Sequence, residues 1–363
     1  MQGDIRMKRL EEIDKNFAVN VNVNTENAVF YDCTKPPFTL YGIIPPNEEH
    51  DYFVRLDTDA AKKTSEGVEI LNQKTAGARV RFKTNSSCIY VYSQMHLVNN
   101  MPHCAFTGSS GFDLYEHENG EERFLKAVII PNAEDGVVTT EIKLEDAKIR
   151  DLTLNFPLYS GVKSLHIGLD KDAQLFECEP YAYEKPIVYY GSSITQGGCA
   201  SRPGNSYQAM ISRRFDCNYV NLGFSGCAKA EDAIAEYISG LDMSIFVYDY
   251  DHNAPDAEHL EKTHEKMFNL IRERNPELPI IIVSAPVPKT TPNWDKRFEV
   301  IKKTYDNAVN KGDKNVYLID GRTIMHPLAG DSGTVDGCHP NDLGFYCMAQ
   351  KIGDVIGKIL ESM

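Results

Sequence analysis

A hydroxyl and a carboxylate–imidazole pair stand about 140 residues apart in this chain. Gly191-Ser192-Ser193-Ile194-Thr195 follows the apolar run Ile187-Val188-Tyr189-Tyr190. A run that ends abruptly in small polar residues delivers a hydroxyl to the rim of a buried parallel strand. In Asp336-Gly337-Cys338-His339 a carboxylate precedes an imidazole by three residues. A tight turn lets Asp336 hold one ring nitrogen of His339 and leaves the other free to take a serine proton. The pattern predicts a serine hydrolase with Ser193 as nucleophile, His339 as base and Asp336 as its orienting carboxylate. A thiol nucleophile at the neighbouring Cys227 or Cys338 is the weaker alternative, because small cysteines are mostly inert packing residues. Gly330-Asp331-Ser332-Gly333 imitates a protease nucleophile motif but reads as a turn.

These residues need elements that bring them together. After about residue 185, strand-like runs at 187–190, 219–222, 244–249, 279–284 and 315–319 alternate with helical segments near 205–216, 229–239, 256–274, 295–310 and 341–361. In the third helix Leu260, Met267, Leu270 and Ile271 share one side while Glu261, Lys262 and Glu265 face elsewhere. Strand alternating with helix predicts a five-stranded parallel sheet flanked by helices, an α/β domain over 185–363. Right-handed crossovers put every strand's C-terminal end on one edge. Ser193, Asn221-Leu222-Gly223-Phe224-Ser225-Gly226 and Asp249-Tyr250-Asp251-His252-Asn253 all follow strands, and Asp336 with His339 precedes the last helix.

Residues 1–184 have a different pattern. Arg79-Val80-Arg81-Phe82-Lys83 and Cys88-Ile89-Tyr90-Val91-Tyr92 alternate as half-buried strands, and Glu118-Asn119-Gly120-Glu121 carries the Asn-Gly hairpin signal. Thr140–Leu144, Leu152–Phe156 and Leu165–Leu169 continue the series, with no long helical period. An all-β sandwich or jelly roll is expected ahead of the α/β domain.

Composition narrows the partners. The 363 residues are 42% hydrophobic and carry a net charge of −14, which repels nucleic-acid backbones and anionic membranes and favours a neutral substrate. No apolar stretch reaches the length of a membrane span, and the start has no signal-peptide core, so a cytoplasmic protein is expected. Nine cysteines, without a CxxC pair or zinc-ligand spacing, read as reduced thiols. His259 and His264 are poorly spaced for shared metal ligation. No metal or cofactor is expected, and assembly into a homo-oligomer is left open.

The four blocks in order resemble those of the SGNH, or GDSL-like, hydrolases, over roughly 185–363. Gly111-Phe112-Asp113-Leu114-Tyr115 resembles the short signature of a β-rich domain that precedes one SGNH branch. The resemblance implies Ser193, His339 and Asp336 as the triad, with Ser193, Gly226 and Asn253 supplying the oxyanion donors. Ser192 stands where the GDS form has aspartate. Asp251-His252-Asn253-Ala254 stands where the family usually has Gly-x-Asn-Asp, so Asn253 is kept without its neighbours. Trp294 and Arg202 lie in loops near strand ends and are substrate-contact candidates. The function expected is a serine esterase removing short, acetyl-like groups, foremost from a carbohydrate, a small molecule or an oligosaccharide. The alternatives are a thioesterase or lipid acyl hydrolase of the same fold, a flavodoxin-like phosphate binder, or a sugar-binding protein with an inert hydrolase fold.

Overall fold

The computed structural model describes residues 23–118, 120–130, 136–287, 291–327 and 330–363. Ten short strands come first: β1 (Ala28–Asp32), β2 (Thr39–Tyr41), β3 (Arg79–Thr84), β4 (Cys88–Leu97), β5 (Phe112–Glu118), β6 (Glu121–Val128), β7 (Val137–Lys143), β8 (Arg150–Asn155), β9 (Gly161–Asp170) and β10 (Leu175–Phe176). They form two sheets, ordered β1-β9-β4-β7 and β10-β3-β8-β5-β6, with β2 added on β3. Alternate side chains fill the core between them: Val80 and Phe82, Leu152 and Leu154, Phe112 and Leu114 from one sheet, Ile89 and Val91, Ile167 and Leu169 from the other. That period of two is what a sheet with one core face requires. At the expected hairpin, Glu118 pairs with Glu121 and Gly120 takes φ +81°. The hairpin's Asn119 lies outside the described residues.

The other face of the second sheet is not solvated, unlike the half-buried strand the alternation predicts. Arg79 and Arg81 are each 1% exposed and Asp113 is fully buried. Arg79 donates to Tyr181 Oη at 2.8 Å, Asn218 Oδ1 at 2.6 Å and Tyr219 O at 3.1 Å, with its guanidinium 3.8 Å from the centre of the Tyr219 ring. This polar face is pressed on the second half of the chain. A buried charge needs partners, and the interface supplies those of Arg79, while the Arg81 guanidinium lies 4.3 Å from the Tyr181 ring and 3.9 Å from Asp151.

The second half contains five parallel strands, β11 (Tyr183–Gly191), β12 (Cys217–Gly223), β13 (Ile245–Asp249), β14 (Ile280–Val283) and β15 (Val316–Ile319), in the order β12-β11-β13-β14-β15. Among the described residues the α-helices are α1 (Thr58–Thr64), α2 (Glu66–Asn72), α3 (Phe106–Ser109), α4 (Ser193–Gln196), α5 (Tyr207–Phe215), α6 (Asp232–Ser239), α7 (Ala257–Arg274), α8 (Trp294–Asn310) and α9 (Asp342–Leu360). The last shows the period of 3.6 clearly, burying Phe345, Met348, Ile352, Ile356 and Ile359. On α7 the buried stripe runs Leu260, His264, Met267, Phe268 and Ile271, while Leu270 sits at its edge.

Helices α1 and α2 fall where no helical period was expected. Each is seven residues long, too short for a period to show, but each is capped: Asp57 accepts from the Ala60 N–H and Ser65 from the Val68 N–H. Leu56, Ala61 and Val68 share the core of the α/β half with Leu222, Phe224 and Ile234. β11 begins at Tyr183, close to the expected boundary at 184, yet the packing of the two halves interlocks across it.

Candidate active site

The strand order reverses direction at β11, so the C-terminal end of β11 opens onto the crevice at the switch point between β11 and β13. The chain leaves β11 at Gly191 and turns at once into α4, whose first residue is Ser193. Ser192 caps the helix, its hydroxyl accepting from the Ile194 N–H. Two glycines permit the turn. A Cβ on Gly191 would lie 2.0 Å from Asp249 O, and one on Gly223 would lie 2.2 Å from Gln196 N. No other residue fits either place. Asn221 and Gln208 both donate to Thr195 O at 2.7 Å, fixing the helix from below.

The fold brings the two distant motifs together. Ser193 Oγ lies 2.9 Å from His339 Nε2, and His339 Nδ1 lies 2.7 Å from Asp336 Oδ2. Asp336 Oδ1 also accepts from the backbone N–H groups of His339 at 2.7 Å and Cys338 at 3.0 Å. Burial on its own would raise the Asp336 carboxyl; these N–H donors and the ring outweigh it and hold the group down to about 2. Asp336 is therefore ionised and can only accept, so the proton of His339 sits on Nδ1 and Nε2 is left bare toward Ser193. This is the arrangement in which an imidazole can take the serine proton.

The donors expected for an oxyanion are arranged less simply. The Gly226 N–H donates to Asn253 Oδ1 at 3.2 Å, and Asn253 Nδ2 donates to Phe224 O at 2.7 Å. The Gly226 donor is thus directed at Asn253 instead of the space before Ser193, a departure from the expectation. An N–H makes one strong hydrogen bond, and here the amide side chain claims it. The Ser193 N–H opens α4, where a helix's own ladder leaves donors unused, and Asn253 retains a second amide hydrogen. The unusual neighbours of Asn253 have a structural reason. Asp251 is buried with Arg297, whose Nε donates to Oδ1 at 2.8 Å, while the Ala285 N–H donates to Oδ2 at 2.9 Å. Asp251 thereby ties the loop to α8 and to the end of β14. His252 is half-buried, and its desolvation pushes the imidazole down to about 4, so it stays neutral.

Comparison with known proteins fits this geometry. Residues 184–357 match the family of GDSL-like lipases and acylhydrolases, and residues 28–175 match GxDLY, the N-terminus of esterases of the SGNH-hydrolase type. A crystal structure from Bacteroides ovatus ATCC 8483, described as a GDSL-like lipase, is 31% identical with a TM-score of 0.81, covering 92% of this chain and 98% of that one. The chain belongs to the GDSL-like lipase/acylhydrolase family. It is an ester-bond hydrolase. Two more distant structures share the fold across both halves: the salicylyl-acyltransferase SsfX3 from a tetracycline biosynthetic pathway (19% identity, TM-score 0.74, 92% of this chain and 98% of that one) and an acetyl xylan esterase from the rumen bacterium Butyrivibrio proteoclasticus (11% identity, TM-score 0.58, 92% and 100%). Among curated proteins none is similar enough to match.

In this GDSL-like hydrolase the β half builds part of the site wall. Tyr159 Oη donates to Ser193 O at 3.0 Å, and Leu158 O accepts from Gln196 at 3.2 Å. Arg202 is held by the signature segment: it donates to Tyr115 Oη at 2.6 Å, lies 3.7 Å from Asp113 and covers the Phe124 ring at 3.9 Å. Asp113 accepts from the Gly204 N–H at 2.8 Å and from Asn155 at 2.9 Å. The signature residues thus clamp the loop that follows Ser193, and Arg202 serves as the bridge. Trp294 is 7% exposed, stacked on Phe298 at 4.9 Å with Arg322 4.6 Å from its ring, and donates to Ala285 O. It packs the start of α8. Gly330–Gly333 forms the expected turn, a short 3-10 segment.

The clamp predicts a measurable cost. Burial pushes Asp113 up to about 6, so part of what it contributes is offset by its own desolvation. Asp113→Ala leaves the Gly204 N–H and the Asn155 amide without acceptors and is expected to destabilise the protein by roughly 2–3 kcal/mol. A urea midpoint unchanged in Asp113→Ala would show that the loop is held by other contacts.

Sequence reading missed Tyr159, His103 and Cys104 near the site. They come from the β half, and nothing in their local pattern distinguishes them from strand and loop residues.

Proposed function

We propose that this hydrolase removes short, acetyl-like acyl groups from a carbohydrate through an acyl-enzyme on Ser193. The unbroken chain Ser193 Oγ, His339 Nε2, His339 Nδ1, Asp336 Oδ2, at 2.9 and 2.7 Å, carries the reading. His339 takes the Ser193 proton as Oγ attacks the ester carbonyl. The Ser193 N–H and the free hydrogen of Asn253 receive the tetrahedral oxygen, joined by the Gly226 N–H if Asn253 turns toward the ligand. His339 then protonates the leaving alcohol, and a water activated the same way releases the acid. Asp336 remains a carboxylate throughout and stabilises the imidazolium.

The carbohydrate assignment is supported by likeness of form. The acetyl xylan esterase and a family two carbohydrate esterase from Cellvibrio japonicus (12% identity, TM-score 0.59, 92% of this chain and 98% of that one) both extend over the β and α/β halves. Likeness to SsfX3, an acyltransferase by name, favours a second reading in which an alcohol in place of water resolves the acyl-enzyme. The deciding assay offers acetylated oligosaccharides, p-nitrophenyl esters of increasing chain length and an acyl thioester, with and without a second alcohol. Acetate release that is fastest on the oligosaccharides supports the proposal. A preference for long chains or the thioester would sink it, and acyl transfer outrunning acetate release would favour the acyltransferase.

A further inference from the structure

The loop between β4 and β5 carries His103 and Cys104, which have no part in the acyl transfer above. In space they meet Cys199, in the loop after α4, and His339. One ligand-capable atom from each of His103, Cys199 and His339 lies within 4.8 Å of the other two. Cys104 Sγ lies 3.5 Å from Cys199 Sγ, and the rings of His103 and His339 are 5.9 Å apart. The nine cysteines are free thiols. A disulfide needs sulfurs about 2.05 Å apart. Two thiolates on one tetrahedral zinc, each about 2.3 Å from the metal, stand roughly 3.8 Å from one another. The observed 3.5 Å is near the second spacing and far from the first.

Two further observations point the same way. The Nδ1 of His339 is hydrogen-bonded to Asp336, so the carboxylate orients the ring and presents Nε2 outward, the second-shell support that metal-bound histidines use. His103 is exposed and His339 partly so, which leaves an entry path, while Cys199 is buried with φ +73° and fixed in place.

We propose that His103, Cys104, Cys199 and His339 form a binding site for a thiophilic divalent cation, zinc foremost, that arrests hydrolysis by occupying the His339 nitrogen facing Ser193. Binding releases the two thiol protons to solvent and forms two metal–sulfur and two metal–nitrogen bonds; nothing is oxidised or reduced. Cys104 joins the group from the Cys199 side, and side-chain movement brings the ligand atoms to tetrahedral spacing: those of His103, Cys199 and His339 stand within 4.8 Å of one another, against a tetrahedral edge of about 3.5 Å. The Ser193–His339 hydrogen bond is lost when the site fills. The cation site goes beyond the esterase reading and does not depend on the natural substrate.

The test uses the full chain, reduced and freed of metal, titrated with zinc. Native mass spectrometry should find one zinc per chain at micromolar zinc, and cobalt in its place should show a thiolate charge-transfer band. Hydrolysis of p-nitrophenyl acetate should fall about 100-fold or more, as expected when the general base is taken, and return with EDTA. Cys104→Ser/Cys199→Ser and, separately, the exposed His103→Ala should each bind zinc about tenfold more weakly or worse. Absence of stoichiometric zinc, or equal retention by both variants, overturns the proposal. Retention by mass is read without turnover, so failure of the cation site and failure of the hydrolase mechanism are told apart.

Discussion

Ser193→Ala is expected to lower the rate of p-nitrophenyl acetate hydrolysis by roughly 10⁶-fold, because the triad acts as a unit and loses nearly everything with its nucleophile. The residual rate comes from binding and oxyanion donors alone. The Oγ is hydrogen-bonded to His339 Nε2, and that nitrogen faces the partly open cleft, so the substitution leaves no polar atom stranded in the core. Stability should therefore change by no more than about 0.5 kcal/mol. Adding His339→Ala to Ser193→Ala should cost almost nothing more, since the base has no nucleophile left to serve. A fluorophosphonate should label the wild-type serine and leave the alanine variant unmarked. Substantial turnover in Ser193→Ala would mean that water or a thiol attacks directly, and the acyl-enzyme would have to be abandoned.

Asp336→Asn is expected to lower kcat by roughly 10⁴-fold with little change in KM. The carboxylate accepts from the His339 ring and two backbone N–H groups, so it holds the proton on Nδ1 and stabilises the imidazolium once the second proton arrives. An amide in its place can donate to Nδ1 and leave the proton on Nε2, where it blocks proton uptake from Ser193. The pH dependence of stability offers an independent check. Asp336 is held down to about 2, below its ordinary value near 4, so the unfolded chain binds the proton more readily. The contribution is fully present above about pH 4 and is lost as pH falls from there toward 2. The stability difference between wild type and Asp336→Asn should accordingly shrink over that acid window and be flat above it. A difference that grows on acidification would contradict the assignment.

How much of this was readable from residue order differs between the halves. In the α/β half, strands announce themselves as short apolar runs and helices by period: all five strand runs and all five helix segments coincide with observed elements, because the central strands are buried on both faces and each helix on one. The motif residues were equally legible. Ser193 follows a buried strand by two residues, and Asp336 and His339 are joined by a local turn whose hydrogen bonds form within four residues. α1 and α2 left only their caps as a signal, since two turns are too few for periodicity to register. The second face of β3 was misread for a different cause. Alternation separates one face from another but does not say whether the polar face meets water or a polar partner, and here Arg79 meets the other half while Arg81 is covered by the Tyr181 ring.

By itself, then, the order of residues determined which hydroxyl, imidazole and carboxylate are available and on which type of element each sits, because those are matters of local geometry and short-range hydrogen bonding. Only the tertiary structure decided that the Gly226 N–H turns to Asn253, that Arg202 bridges to Tyr115 rather than standing free, and that His103 and Cys104 meet Cys199 and His339. Each of these contacts joins residues 27 or more positions apart, and such distances are closed by the burial of whole faces, which no short stretch of sequence contains.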